Sequence, residues 1–221
     1  MLLVVTSAND PDLALLSTRP SVAVVVPAHL SQAGWRYEVG AGRLSRLVTS
    51  RGEVGADELS GVLTRSQRVW KRDLPHIHED DREYVAAEMT AFLAALIHEM
   101  PCPLLNRPTA NSLWGPSWTS EHWWRAAARE GFPVCSNRQA ICTDVASIVV
   151  VGKNAIFENG LLPDRAVDLS LLLAASAEVN LLETRFCREH KALQDVTLRP
   201  ELNRDVLVEI ERHCALAGWP A

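Results

Sequence analysis

Apolar positions change period several times along the chain. LLVVT at 2–6 and SVAVVVP at 21–27 are short β-branched runs closed by turn residues, and PDLALLSTR between them has room for a short helix. Unbroken apolar runs suit strands buried on both faces, so strand, helix, strand predicts the start of a parallel sheet. Residues 34–71 carry weaker strand signals in WRYEVG, RLSRLVTS and GVLTRSQRVWKR, with Gly40, Gly42, Gly52 and Gly55 supplying turns. From Asp80 the period becomes helical. Val85, Met89, Phe92, Leu96 and Met100 recur on one face of DDREYVAAEMTAFLAALIHEM, and Asp80, Asp81 and Glu83 suit the positive end of its dipole.

PCPLLNRP then reads as a short extended segment stopped by Pro108. TSEHWWRAAAREG is a second helix, with Thr119 or Ser120 as N-cap and Gly131 as its stop. VASIVVV at 145–151 is a strand, followed by a turn from Gly152 to Gly160 with a short pairing strand through AIF. DRAVDLSLLLAASAEV is a third helix capped by Asp164, VNLLETRFC and ALQDVTL are further strands, and NRDVLVEIERHCALAG is a last helix with Val206, Ile210 and Cys214 on one face. The chain shows no internal repeat and no low-complexity linker.

Composition narrows the function classes. An apolar content of 48% over 221 residues supports one large or two small domains. The net charge of −5 and pI near 5.8 lack the basic surplus that nucleic acid or an anionic membrane would require of a partner. The N-terminal apolar run is too short for a signal peptide and nothing reaches a membrane span. Five cysteines at irregular spacing fit a reducing compartment, so a cytoplasmic location is expected.

Three local groups could carry chemistry. In HIHEDD, His76 and His78 would face one side of a strand and could hold a divalent cation; no spacing dictates a third ligand, so a solvated loop entering a helix is the expectation and no metal is assigned. Cys187 and His190 form C-x-x-H, and Cys135 and Cys142 could join them in a zinc set, but paired C-x-x-C spacing is missing and ordinary buried thiols are expected. Trp114, Trp118, Trp123 and Trp124 with Trp70 are an unusual aromatic concentration. With Asn106, Arg107 and His122 they could line a groove for a peptide or small-molecule ligand, fill a domain interface, or face a partner subunit.

The order LLVVTSANDPD, RVWKRDLP, REYVAAEMTAFLAAL, LLNRPTAN and WWRAAAREGFPV resembles the pre-ATP-grasp domain of the microviridin-type, RimK-like peptide ligases. There a W-x-R-R-P strand, an acidic helix, an N-x-P-x-A segment and an A-x-x-x-G-[FL]-x-[VI]-P boundary follow in the same order. TDVASIVVVGKNAIF, AEVNLLETRF, DVTLRPEL and the last helix resemble that family's C-terminal core. The resemblance implies an α/β protein: a pre-ATP-grasp parallel-sheet domain at 1–134 joined to a shortened ATP-grasp-like α+β core at 135–221. It also implies that Lys71 and Arg72 stand for the basic pair of the R-R-P strand, at the sheet edge where open α/β sheets receive ligands.

The same resemblance locates what is missing. Family members carry a nucleotide-lid subdomain between the positions of Val134 and Thr143, where this chain has only CSNRQAIC. If DVTLRP aligns with the metal-binding E-V-N-P strand, Thr197 and Arg199 replace its Glu and Asn. The Asp of the preceding strand then falls near Thr184 or Arg185, leaving the hard oxygen ligands of a cation unsupplied. The expectation is a degenerate homologue, a pseudoenzyme acting as a binding or partner subunit in peptide modification or small-molecule biosynthesis. No cofactor is expected of the chain alone. The alternatives are a carboxylate-amine or ester-forming ligase whose ATP and Mg²⁺ site is completed by another chain, and a fold recruited for metal- or Cys-dependent catalysis. A homodimer or a partner enzyme subunit would cover apolar surface exposed by the missing lid.

Overall fold

The computed structural model describes residues 1–135, 142–157 and 162–216. They form two compact units, Met1–Gly115 with the chain from Glu211 onward, and Pro116–Ile210. The expected boundary at residue 134 therefore lies inside the second unit, because the helix before it packs on the second unit's sheet.

In the first unit, β1 (Leu2–Val5), α1 (Leu13–Ser17) and β2 (Val22–Val25) make the predicted strand–helix–strand unit. β1 pairs in parallel with β2 on one side and with β5 (Gly61–Thr64) on the other. All four residues of each of the three strands are buried, which is why their sequences show no polar alternation. PCPLLNRP contributes a single parallel bridge, Leu104 to Val62. β3 (Arg46–Thr49) and β4 (Gly52–Gly55) are an antiparallel hairpin turned at Gly52, whose φ of 91° a side chain would strain. WRYEVG forms no strand. It makes one bridge, Arg36 to Arg46, and sends Trp35 and Tyr37 edge-on against Phe92, with centroids 5.6 and 6.0 Å away.

Phe92 belongs to α2 (Arg82–His98), which buries Ala86, Leu93, Leu96 and Ile97 in a core shared with Leu3, Val5, Ala23, Val25 and Val62. At the carboxyl ends of β1 and β5 the sheet edge is closed by a buried ion pair. Arg65 donates from Nε and Nη2 to Asp10 at 2.8 and 3.2 Å and also pairs with Asp12, while Thr6 donates its hydroxyl to Asp10. Burial alone would raise the Asp10 carboxyl, but Arg65, Thr6 and the Asp12 backbone N–H outweigh it and hold it well below the usual carboxylate range. The two remaining thiols of this unit behave as core atoms, burial pushing Cys102 up to about 11 and Cys214 up to about 12.

The second unit opens with α3 (Ser120–Arg129), ended by Gly131 at φ 73° with Phe132 N–H returning to the Ala127 carbonyl. Its sheet has the order β7 (Asn154–Phe157), β6 (Val145–Val151), β8 (Leu181–Cys187), β9 (Ala192–Thr197), all antiparallel. Val134 adds a parallel bridge to Leu193 at the β9 edge. α4 (Ala166–Ser176) packs on β6 and β8, and Ser170 and Thr184 share a buried hydrogen bond of 2.6 Å. Arg165, left-handed at φ 63°, takes the cap position expected of Asp164. α5 (Arg204–Leu216) closes the described chain. The middle of CSNRQAIC lies outside the described residues.

Two outcomes check the first unit. Asp10→Asn leaves Arg65 buried beside a neutral group and should cost about 3–5 kcal/mol in urea unfolding. Because the folded carboxyl titrates below its unfolded value, its stabilisation is complete above about pH 4 and is lost on acidification. The variant should therefore lose stability less steeply than the parent below that pH, whereas parallel curves would exclude the pair as the cause. A Cβ added at Gly61 would overlap Cys214 Sγ and lie 2.8 Å from Cys214 Cβ. Gly61→Ala should lower stability by about 1–3 kcal/mol, and Cys214→Ala should return part of that loss in a double-mutant cycle.

Candidate functional site

Strand alternation divides the second sheet into two chemically different faces. Ala146, Ile148 and Val150 of β6 and Leu182, Thr184 and Phe186 of β8 are all buried, and Thr184 marks this as the face toward α4. The intervening residues, Val145, Ser147 and Val149 of β6 and Glu183 of β8, line a cleft of about 600 Å³. Phe157 on β7 and Glu201, Asn203 and Asp205 around the start of α5 complete its wall, with Arg188 at the β8–β9 turn.

Glu183 is the cleft's central charge and is only 4% exposed. Ser147 donates its hydroxyl to Glu183 Oε1 at 2.6 Å, and Arg185, two residues along the same face, donates Nε to Oε1 at 2.9 Å and Nη2 to Oε2 at 3.3 Å. That bidentate pair, aided by the fields of Asp195 and Glu201 and opposed by burial, raises Arg185 above its ordinary value. Asn203 Oδ1 accepts the Val206 N–H at 2.9 Å as the N-cap of α5. The oxygens that could face a cation are thus partly engaged: Glu183 by a guanidinium and Ser147, Asn203 by backbone. Lys153 and Lys191, the lysines of the second unit, do not line the cleft.

Thr197 and Arg199 do not line the cleft. Thr197 ends β9 and accepts the Arg199 N–H at its own hydroxyl, while the carboxylates come from Glu183, one residue before Thr184, and Glu201, two residues after Arg199. The signal was present in Glu201-Leu202-Asn203, which has the E-x-N order directly ahead of a helix start.

The other predicted site residues fall into separate groups. In the first unit, Lys71 and Arg72 lie exposed in a 3-10 turn over Lys71–Asp73 rather than on a strand, with the Arg72 guanidinium 5.2 Å from the Trp70 ring centroid. The sheet edge they were expected to serve is closed by Arg65 and Asp10, and the cavity beside it measures about 10 Å³. Asn106 is buried, Trp114 is half-buried, and the exposed Arg107 lines a surface groove with Arg43 and Glu99. In the second unit Trp118 and His122 do come together. Trp118 packs at a 52° tilt against the buried Trp123, ring centroids 4.6 Å apart, with His122 6.5 Å away, and Thr119 Oγ1 holds His122 Nδ1 at 3.0 Å. His76 and His78 do not converge: His76 bonds Ser31 at 2.8 Å, and His78 is 75% exposed beside Asp80.

No protein-family model and no curated protein matches the chain. Solved structures do. Macrocyclase MdnC from Microcystis aeruginosa MRC, bound with precursor peptide MdnA, superposes with a TM-score of 0.66 over 98% of both chains at 11% identity. A Chryseobacterium gregarium RiPP-associated ATP-grasp ligase in complex with ADP and a leader and core peptide gives 0.66 at 10% identity, over 98% of this chain and 96% of that one. ATP-grasp ligase PsnB complexed with a minimal precursor gives 0.64 at 10% identity over 97% of each. The second unit's cleft and the first unit's parallel sheet are parts of one chain with the fold of the peptide-modifying ATP-grasp ligases.

Proposed function

We propose that this chain is a degenerate ATP-grasp-fold protein that serves as a binding or partner subunit in peptide modification and performs no ATP and Mg²⁺ chemistry by itself. The observation that carries the reading is the bidentate pair that Arg185 makes with Glu183 of the cleft wall. A cation there would compete with a guanidinium for Glu183, the deeply buried carboxylate of the wall among the described residues, and triphosphate oxygens would meet Glu201 and Asp205 with Arg188 as the one cation lining the cleft among those residues. This donor set does not fit nucleotide and metal. The short connection CSNRQAIC supports the same reading, since it has no length for a lid.

A peptide ligand has candidate groups within each unit taken separately: the exposed Lys71, Arg72 and Arg107 with the half-buried Trp114 in the first, and Trp118 and His122 in the second. A homodimer or a partner ligase would supply what the cleft lacks. Titration calorimetry with ATP and Mg²⁺ should give no heat, and saturating nucleotide should leave the melting temperature unchanged; a rise of several degrees would overturn the reading.

A second reading has its own support in Glu201-Leu202-Asn203, which shares the E-x-N order of the metal-binding E-V-N-P motif and whose Glu201 and Asn203 line the cleft. On that reading the chain is a ligase completed by another chain, which supplies the phosphate-binding groups. Glu201 is exposed, so Glu201→Gln should fold normally. Reconstituted with an intact partner ligase and its precursor peptide, Glu201→Gln should modify peptide as fast as the parent if the chain is a non-catalytic subunit. A loss of about a hundredfold or more would place the cation at this cleft and favour the completed ligase.

A further inference from the structure

Outside the cleft, three chain segments converge at one end of the second sheet. β8 ends at Cys187, and the turn to β9 carries His190. Cys135 follows the Val134 bridge and donates its N–H to the Leu193 carbonyl at 2.8 Å, which fixes it beside the first residues of β9. Cys142 lies just ahead of β6, whose first residue, Val145, pairs with Cys187. Asp144 next to it accepts the Arg188 N–H at 3.1 Å.

The ligand atoms of Cys135, Cys187 and His190 all lie within 4.8 Å of one another, and among the described residues theirs is the group of three or more that could hold a metal ion. Cys187 Sγ is 3.1 Å from His190 Nδ1 and also accepts the His190 backbone N–H at 3.4 Å, a contact that favours a thiolate. Two sulfurs and one imidazole nitrogen thus surround a single point, while Cys142 stands outside that group and donates its thiol to the Asp144 carbonyl at 3.3 Å. A tetrahedral zinc ion with Zn–S of about 2.3 Å and Zn–N of about 2.0 Å sets its ligands roughly 3.5–3.8 Å apart, a spacing the group reaches by small side-chain adjustment.

We propose that Cys135, Cys187 and His190 hold a zinc ion that staples the end of the second sheet, and that Cys142 turns from the Asp144 carbonyl to close it as the fourth ligand of a Cys₃His site. Soft thiolates with one imidazole select Zn²⁺ over the hard cations that carboxylates hold, and four protein ligands leave no position for substrate. A nucleophilic role for Cys187 is disfavoured by its burial, since the residue has no exposed surface. The site is independent of the reading of the cleft, because metal content does not depend on which peptide or nucleotide the protein binds.

The test uses the full chain purified under reducing conditions from zinc-supplemented cells. Elemental analysis should find about one zinc per chain, released by a thiol-blocking mercurial. Cobalt substitution should give the intense visible bands of a tetrahedral site and sulfur-to-metal charge transfer in the near ultraviolet. Cys142→Ser and His190→Ala, both at accessible positions, should each lower zinc occupancy at a fixed chelator concentration by about tenfold or more. They keep the proposal falsifiable if Cys187→Ser does not fold. Zinc below about a tenth of an equivalent with all thiols reduced, zinc indifferent to both variants, or a mass two hydrogens light from a Cys142–Cys187 disulfide would each overturn it.

Discussion

The second unit depends on the alternation of one central strand. β8 lies between β6 and β9, and its seven residues serve three environments in turn. Leu182, Thr184 and Phe186 are committed to the apolar side, where Thr184 satisfies its hydroxyl against Ser170 and Phe186 meets Phe132 edge-on at 5.5 Å. Glu183 and Arg185 are thereby turned to the cleft, and Cys187 ends the strand at the cysteine cluster. A register slip of one residue would bury the ion pair under α4 and expose the core, so the hydrophobic face fixes the polar one. The bulge between Arg185 and Phe186 opposite β9 lets the strand change alignment just before Cys187.

How much of this was readable from sequence follows from range. The first parallel strands, the helix from Asp80 and the hairpin after Val145 are local patterns, and burial on both faces explains LLVVT and VAVV without further information. WRYEVG misled because aromatic and β-branched composition matches either a strand or a loop whose rings pack inward, and Trp35 and Tyr37 do the second against Phe92. Lys71 and Arg72 were placed at a sheet edge by motif order, but β5 stops at Thr64 and Arg65 fills that edge. Nothing in Asp10 announces a partner 55 residues away; the pair exists because parallel pairing sets the ends of β1 and β5 side by side.

The cleft draws on residues outside strand register. β9 ends at Thr197 and the chain continues irregularly to Asn203 before α5. Over that stretch spacing no longer predicts which side chains face together, and Glu201, two residues past Arg199, lines the cleft. Glu183 itself was legible as a carboxylate, yet its engagement by Arg185 was not, since i and i+2 share a face only once the strand is given.

The cysteines show the same limit from the other side. C-x-x-H with two distant cysteines is a weak pattern because no local rule links Cys135 or Cys142 to Cys187. Sheet order supplies the link: Val134 joins β9 on its free edge and sets Cys135 there, while Val145 pairs with Cys187 on the other side of β8 with Cys142 just ahead of it. Pro133, Thr143 and Asp144 beside these positions are exposed. Exposed residues bury little apolar surface to offset their ordering entropy and gain most from a few strong local bonds. Among the described residues, the pairing of the sheet brings Cys135, Cys187 and His190 within reach of one metal ion, and those thiols and that imidazole are the groups able to supply such bonds there.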